Sequence, residues 1–226
     1  MDALRRIAGI VFLSLPGLAL GFFAAAHFLD GLAADAAIPV PVYMIAQIAM
    51  PKAAYEDAAA ALMRADACNG TAAIARAEAG LRSGASPAAQ VPILTRGLLQ
   101  EPASARGWTL LSEALLPTDK ASAARALSQA LILAPREYWL VEARAHDAAL
   151  LWENLDVETQ ARALEQTRML WQEPGLRGQI RSLLRSPEGV DLVTRAFTGR
   201  QDEVREMNRF LSAERRRTPM TERSLP

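Results

Sequence analysis

A long apolar run near the N-terminus constrains this chain more than any other feature of its sequence. Residues 7–29 contain no Asp, Glu, Lys or Arg at 23 consecutive positions. A helix rises about 1.5 Å per residue, so this run would span about 34 Å, which exceeds the hydrocarbon thickness of about 30 Å in a typical bilayer. The sequence therefore predicts a single transmembrane helix over residues 7–29, and this helix would contact membrane lipid.

The charges on either side of the run predict its direction across the membrane. Arg5 and Arg6 precede it, whereas no Lys or Arg occurs between it and Lys52. Lys and Arg are retained on the cytoplasmic side of a membrane. Residues 1–6 are therefore predicted to be cytoplasmic, and the chain after residue 29 is predicted to lie outside the cytoplasm.

A cleaved secretory signal peptide is the alternative interpretation. Residues 24–26 and 34–36 both have small side chains at their first and third positions, as signal peptidase requires. The apolar core of a signal peptide usually has about 7–15 residues, and the run here is longer. An uncleaved anchor is therefore the preferred interpretation, although both alternatives export the rest of the chain.

The amino-acid composition bears on the cellular compartment of the protein and on the class of partner that it binds. The 25 basic and 25 acidic residues give no net charge, so nothing indicates binding to nucleic acid. Arg and Ala are abundant while Lys is rare, which is typical of a GC-rich bacterial genome. We therefore predict the bacterial inner membrane, with a periplasmic C-terminal domain. Cys68 is the single cysteine in this sequence, which excludes an intramolecular disulfide.

Residues 52–217 carry the pattern of an all-α domain. Apolar residues recur every three or four positions, Pro and Gly separate the runs, and no alternating strand pattern occurs. About nine helices of 11–17 residues are expected, and the short turns between them would make neighbours antiparallel. Residues 30–51 contain Pro39 and Pro41 and are predicted to form a stiff spacer. Residues 218–226 are predicted to be a disordered tail.

Capping residues mark several of the expected helix starts. Ser86 and Ser186 each precede a proline, which places a capping hydroxyl directly before a proline at the first helical position. Thr118 and Asp156 are predicted to cap their helices in the same way.

One segment has the spacing of a known helix pair. Its positions are Trp108, Leu111 and Leu115 on a first helix, Ala123, Leu127 and Ala130 on a second helix, and Pro135 after it. This unit, residues 103–135, resembles the tetratricopeptide repeat (TPR). The resemblance implies that these seven residues form the core of the repeat.

A degenerate copy of the same repeat precedes this unit at residues 71–102. Ile74 lies 34 residues before Trp108, which is the period of the family. Glu78 and Gln90 depart from the family pattern, because small residues are expected at both positions. The resemblance implies antiparallel helix pairs that stack into an α-α superhelix, each pair covering the apolar face of the next. In such a core, Trp108→Ala would cost about 3–5 kcal/mol.

A third helix pair is predicted at residues 136–154 and 156–172. After Pro135 this segment contains Arg144 and then the sequence Trp-Glu-Asn-Leu at residues 152–155. It is similar to membrane-anchored helical-repeat proteins of bacteria that are associated with exopolysaccharide biosynthesis and export. The similarity implies a role in envelope polysaccharide assembly or export.

The sequence offers little that is typical of a catalytic or metal site. His27 and His146 are its two histidines, and the predicted membrane separates them, so they cannot share a zinc ion. It has no H-E-x-x-H, G-x-S-x-G or glycine-rich phosphate-binding motif. Asp147, Glu153, Asp156 and Glu158 could supply paired carboxylates for glycoside chemistry. We instead expect them to solvate helix surfaces, and predict no catalytic residue, cofactor or metal.

Four residues are predicted to contact a partner: Arg136, Trp139, Arg144 and Arg168. Arg presents a planar fork of donors that suits a peptide carboxylate or an acidic polysaccharide. Adjacent aromatics point to different faces of a helix, so one of Tyr138 and Trp139 is expected to be buried and the other exposed. The alternative for the arginines is a solvated face with ion pairs one turn apart.

These observations together predict a non-enzymatic scaffold. It would hold other inner-membrane or periplasmic proteins at the membrane, in the context of exopolysaccharide assembly or export. A scaffold for cytochrome c maturation or cell division is the first alternative. An enzyme that modifies envelope glycans is the second.

Overall fold

The computed structural model describes residues 50–63 and 69–217. The predicted anchor at residues 7–29, most of the spacer, Cys68 and the tail at residues 218–226 lie outside the described residues. In the described part of the chain, no helix combines the length and hydropathy needed to cross a membrane.

All regular structure within these residues is helical, as the sequence predicts. The ten α-helices are α1 (Lys52–Leu62), α2 (Gly70–Arg82), α3 (Pro87–Gln100), α4 (Ala105–Leu115), α5 (Lys120–Leu133), α6 (Tyr138–Leu151), α7 (Val157–Gln172), α8 (Ile180–Leu183), α9 (Pro187–Ala196) and α10 (Gln201–Arg217). Two 3-10 turns, Trp152–Asn154 and Arg177–Gln179, lie beside α7 and α8.

Side-chain caps define several helix starts, with two corrections to the predicted caps. Ser186 accepts a hydrogen bond from the Gly189 backbone N–H at 3.1 Å, and Asp156 caps α7 as predicted. Ser86 precedes α3 but makes no side-chain capping bond. The cap of α5 is Asp119 and not Thr118, because the Asp119 carboxylate reaches the N–H three residues on at 3.0 Å.

The turn between α2 and α3 depends on Gly84. This residue has φ +85°, in the left-handed region that favours glycine. Its N–H donates to the Leu81 carbonyl, and the Ala85 N–H donates to the Gly80 carbonyl. These two bonds form a Schellman motif, which satisfies carbonyls at the end of α2 and reverses the chain.

The stretch between α7 and α9 departs most from the expected helices. Only four residues of it are α-helical, in α8, and a 3-10 turn precedes them. Gly175 and Gly178 lie in this stretch, and glycine costs about 1 kcal/mol in a helix relative to alanine. A long helix is therefore not formed here.

The chain divides into two compact units, the first ending at Pro102 and the second beginning at Ala103. In the first unit, α2 packs against both α1 and α3. At the crossing of α2 with α3, a Cβ added to Gly70 would lie 2.7 Å from the Gly97 carbonyl oxygen. A Cβ on Gly97 would lie 2.9 Å from Ile74 Cγ1. The two helices are thus in backbone contact, which only glycine permits.

The second unit contains α4 to α10. Helices α4 and α5 pack along each other, and because a four-residue turn joins them they run antiparallel. Helices α6 and α7 form the next pair. Helix α5 contacts α6, and α9 contacts both α6 and α7. The core extends from Ala123 to Leu211. Trp171 is 1% exposed in this core, and its ring meets Phe210 of α10 edge-on at a centroid distance of 5.7 Å.

Candidate functional site

Arg144 lies in the interior of the second unit and not in an open groove. It is 1% exposed. Its Nε donates to Thr109 Oγ1 at 3.1 Å, and its Nη1 donates to the Ala134 carbonyl at 2.7 Å. Arg144 therefore joins α6 to α4 and to the end of α5, a structural position that does not fit the prediction of a groove-lining residue.

The electrostatics of Arg144 follow from this burial. Burial lowers the pKa of Arg144 from its ordinary value to about 10, and the nearby Glu137 carboxylate opposes the shift. The distance from Arg144 Nη2 to Glu137 Oε2 is 3.7 Å, and Nη2 makes no hydrogen bond to any residue in the described part of the chain. A buried cation with incomplete hydrogen bonding adds little to stability, but removing it alone leaves its partners unsatisfied. Arg144 thus fixes how the two helix pairs meet.

Arg168 and Trp139 lie at separate places. Arg168 is partly buried, and its Nη1 donates to the Ala196 carbonyl at the end of α9 at 3.3 Å. Trp139 is 43% exposed and its neighbour Tyr138 is 45% exposed. The expectation that one of these two aromatics is buried is wrong, because both stand at the start of α6, where the neighbouring helices leave both partly uncovered.

Arg136, one of the four residues predicted to contact a partner, is accessible at the surface. It is exposed and lines a depression of about 310 Å³ between the end of α5 and the middle of α7. Arg162 and Gln166 also line this depression, so the structure brings a second arginine to the same place as Arg136. Arg162 is paired with Glu158 at 2.7 Å, one turn earlier on α7.

A larger groove of about 630 Å³ lies between α4, α5 and the start of α7. Trp108, Leu111 and Leu115 of α4 line it with apolar surface. Its polar lining residues include Ser122, Ser128, Gln129, Asn154 and Thr159. Thr159 Oγ1 donates to Ser128 Oγ at 2.9 Å, which ties α7 to α5 at the groove.

The predicted repeat-core residues divide between the interior and this groove. Ala123, Leu127 and Ala130 are each 0% exposed. Leu111 is 8% exposed, whereas Trp108 and Leu115 are only partly buried. Pro135 is exposed beyond the end of α5. Trp108 therefore lines the groove with part of its ring surface and is not sealed in the core.

The one histidine within the described residues belongs to a small polar cluster. His146 Nε2 lies 3.0 Å from Ser182 Oγ, and Ser182 Oγ lies 2.6 Å from Glu142 Oε1. In a Ser-His-Asp triad the carboxylate orients the histidine, but here the carboxylate contacts the serine. The hydroxyl also contacts the Gln179 carbonyl at 2.6 Å. This cluster fixes α8 against α6.

The four acidic residues considered for glycoside chemistry have different environments. Asp147 is buried, Glu153 is exposed, Glu158 pairs with an arginine, and Asp156 caps α7. The hydrogen bond from the Thr159 backbone N–H lowers the pKa of Asp156, whereas a general acid needs a raised pKa. In the part of the chain that the structure describes, no group of three or more His, Cys, Asp or Glu is placed to hold a metal ion.

Sequence reasoning overlooked Thr109 and Gln166. Thr109 is 2% exposed and directly follows Trp108. Gln166 is 3% exposed, three residues after Ala163 and four before Leu170, both of which are buried. That spacing places a polar side chain on the apolar face of α7. A polar residue at an otherwise apolar position was therefore the signal from which Gln166 could have been identified.

No protein-family model matches the chain, and no curated protein sequence matches it either. Similarity to a protein of known function therefore assigns no residue a role. The roles of Arg136, Arg144 and Trp108 follow from their positions alone.

Proposed function

We propose that this chain is a non-enzymatic scaffold of the bacterial inner membrane. Residues 7–29 anchor it, residues 1–6 are cytoplasmic, and the helical region binds partner proteins in the periplasm. Its helix pairs are TPR-like units of an α-α superhelix. The complex it serves assembles or exports an exopolysaccharide, as the resemblance around Arg144 and residues 152–155 implies.

The groove beside α4 is the observation that carries the proposal. Its apolar side is formed by Trp108, Leu111 and Leu115, three positions of the TPR pattern, and its remaining lining is rich in hydroxyls and amides. An apolar centre with a polar rim is the usual anatomy of a protein interface. A volume of about 630 Å³ admits several side chains of a partner segment.

Photo-crosslinking in the intact cell tests partner binding directly. A photoreactive amino acid replaces exposed Gln129 in the groove of the full-length chain, and a control chain carries it at exposed Arg209 on α10. We expect a discrete protein adduct from position 129 that is absent from position 209. Adducts of the same size from both positions, or none from position 129, would contradict the proposal.

A blocking substitution sharpens this experiment. Ala121 is exposed and lines the groove, so Ala121→Trp fills its mouth without disturbing a buried side chain. Ala161→Trp is the matched control, because Ala161 is exposed on α7 and outside the groove. The adduct at position 129 should disappear in the first variant and persist in the second.

The identity of the crosslinked protein distinguishes the cellular contexts. A glycosyltransferase or polysaccharide polymerase supports the exopolysaccharide role, whereas a haem-handling or division protein supports the alternative scaffold. A C-terminal alkaline phosphatase fusion tests export separately, and an inactive fusion would contradict the periplasmic location.

A further inference from the structure

The smaller depression between α5 and α7 contains a buried hydrogen-bond acceptor without a donor. Gln166 is 3% exposed, and its Nε2 donates to the Pro135 carbonyl at 2.9 Å. The other atom of the same amide, Oε1, is buried and has no hydrogen-bond partner among the residues that the structure describes. A buried acceptor without a donor is energetically unfavourable. A ligand that brings a donor to this atom would remove that penalty.

The same depression contains a cation that the fold does not use. Arg136 is exposed and makes no ion pair or hydrogen bond among the described residues. Arg162 nearby is paired with Glu158, so Arg136 provides the available positive charge. A planar guanidinium binds a carboxylate through two parallel hydrogen bonds. The ligand that fits therefore combines a carboxylate with an adjacent donor.

The other residues that line the depression indicate which kind of carboxylate-containing ligand fits it. Leu131, Ile132 and Pro135 form an aliphatic wall, and Ile132 is 48% exposed. The last residue of a polypeptide carries a carboxylate, an N–H on the same Cα and one side chain. These three groups correspond to Arg136, Gln166 Oε1 and the aliphatic wall. Among the described residues, the lining includes no aromatic ring on which a sugar could stack, and a sugar acid would place its hydroxyls against aliphatic carbons.

We propose that this depression binds the free C-terminal carboxylate of a partner polypeptide whose last residue is aliphatic. The inference rests on the proposed scaffold function and names the part of a partner that the depression recognises. Glu165 also lines the depression and is exposed, so the lining carries one carboxylate beside its two arginines.

Fluorescence polarisation with the full-length chain in detergent tests this proposal. The probes are fluorescein-labelled Gly-Ser-Gly-Ala-Leu with a free C-terminal carboxylate and the same peptide with a C-terminal amide. We expect the carboxylate peptide to bind at least tenfold more tightly than the amide. Equal affinities for the two peptides, or no binding of either, would overturn the proposal.

Matched variants assign the binding to this depression. Arg136→Gln should weaken the carboxylate peptide about tenfold and leave the amide unchanged. Arg209→Gln removes the same charge from an exposed position on α10 and should have no effect. Ile132→Asp places a negative charge on the aliphatic wall and should also abolish the preference for the carboxylate. Equal losses in the Arg136 and Arg209 variants would indicate general electrostatics and overturn the assignment.

Competition with glucuronic acid separates peptide from sugar recognition. The sugar acid should not displace the carboxylate peptide at concentrations that saturate binding of unlabelled peptide. Displacement that depends on Arg136 would assign the depression to acidic sugars and overturn the peptide proposal.

The photo-crosslinking and peptide-binding experiments can fail independently. If the peptide does not bind but the crosslinked adduct at position 129 is still formed, only the proposal about the C-terminal carboxylate is overturned. Loss of that adduct would instead contradict the scaffold function.

Discussion

The α2–α3 pair and the α4–α5 pair bury small residues of different kinds. In the α2–α3 pair, Gly70 lies against the Gly97 backbone, so no side chain separates the helices at that point. In the α4–α5 pair, α5 packs against α4 and buries Ala123 and Ala130, each 0% exposed. Glycine therefore brings two backbones into contact in the first pair, whereas the second pair buries alanine methyl groups.

The first pair also accommodates a large buried polar residue. Gln90 of α3 is 6% exposed. On the facing helix, a Cβ added to Gly80 would lie 2.7 Å from Gln90 Oε1. The glycine on α2 thus leaves room for the Gln90 side chain on α3.

Truncating the central leucine of each pair should have the largest effect on stability. Leu94 of α3 and Leu127 of α5 are both 0% exposed, so each change to alanine should cost about 2–5 kcal/mol. Urea unfolding followed by circular dichroism measures the loss. Leu99→Ala is the control, because Leu99 on α3 is 80% exposed and its loss should change stability little. A small effect at one central leucine only would show that the two pairs are not equivalent.

A double-mutant cycle at Gly80 and Gln90 tests whether Gly80 leaves room for the Gln90 side chain in the first pair. Gly80→Ala should cost about 1–2 kcal/mol, because the added methyl crowds the Gln90 amide. Gln90→Ala should also destabilise, because it leaves a void. The double variant should be more stable than the sum of the two losses by about 1 kcal/mol, which is the coupling energy. If the losses of the two single variants simply added in the double variant, the proposed packing would be contradicted. Gly175→Ala is the control, because a Cβ added to Gly175 would meet no atom within 4 Å.

Trp108→Ala should cost less than the sequence pattern indicates. A sealed core tryptophan costs about 3–5 kcal/mol when truncated. Trp108 is only partly buried, so we expect a loss of about 2 kcal/mol in the same unfolding measurement. Trp171→Ala provides the comparison. Trp171 is 1% exposed, so its truncation should cost the full amount of about 3–5 kcal/mol that is expected for a core tryptophan. Equal losses at both tryptophans would place Trp108 in the core.

The caps of the two pairs predict a small difference in their response to acid. Asn69 caps α2 through an amide that does not titrate, whereas Asp119 caps α5. Hydrogen bonding to Ser122 lowers the pKa of Asp119 below 3.8. The stability from this cap is fully present above pH 3.8, the unfolded value, and is lost as the pH falls through the folded pKa.

Hydrogen exchange below pH 4 measures this difference at the first turn of each helix. We expect protection to fall at the start of α5 and to persist at the start of α2. Asp119→Asn should remove the pH dependence while keeping an oxygen that can cap the helix. Parallel losses at both helices would contradict a role for the aspartate.

Much of the secondary structure could be predicted from the chain itself. Proline, glycine and capping residues act on neighbouring backbone, so the start of α7 at Asp156 and the break at Gly84 follow from local chemistry. The stretch between α7 and α9 was harder to predict, because weak helix formers leave the outcome to packing. The buried face of α5 was also visible, because Ala123, Leu127 and Ala130 recur at three- and four-residue steps and all three are 0% exposed.

The amino-acid sequence by itself determined where helices form and which of their faces are apolar. Only the tertiary structure decided what covers each face. Arg144 became an interior residue because α4 and the end of α5 enclose it. Arg136 and Gln166 came to share a depression although 30 positions separate them in the chain. Periodicity is a local property of one helix, whereas burial and juxtaposition depend on which helices meet, and that depends on the packing of the whole unit.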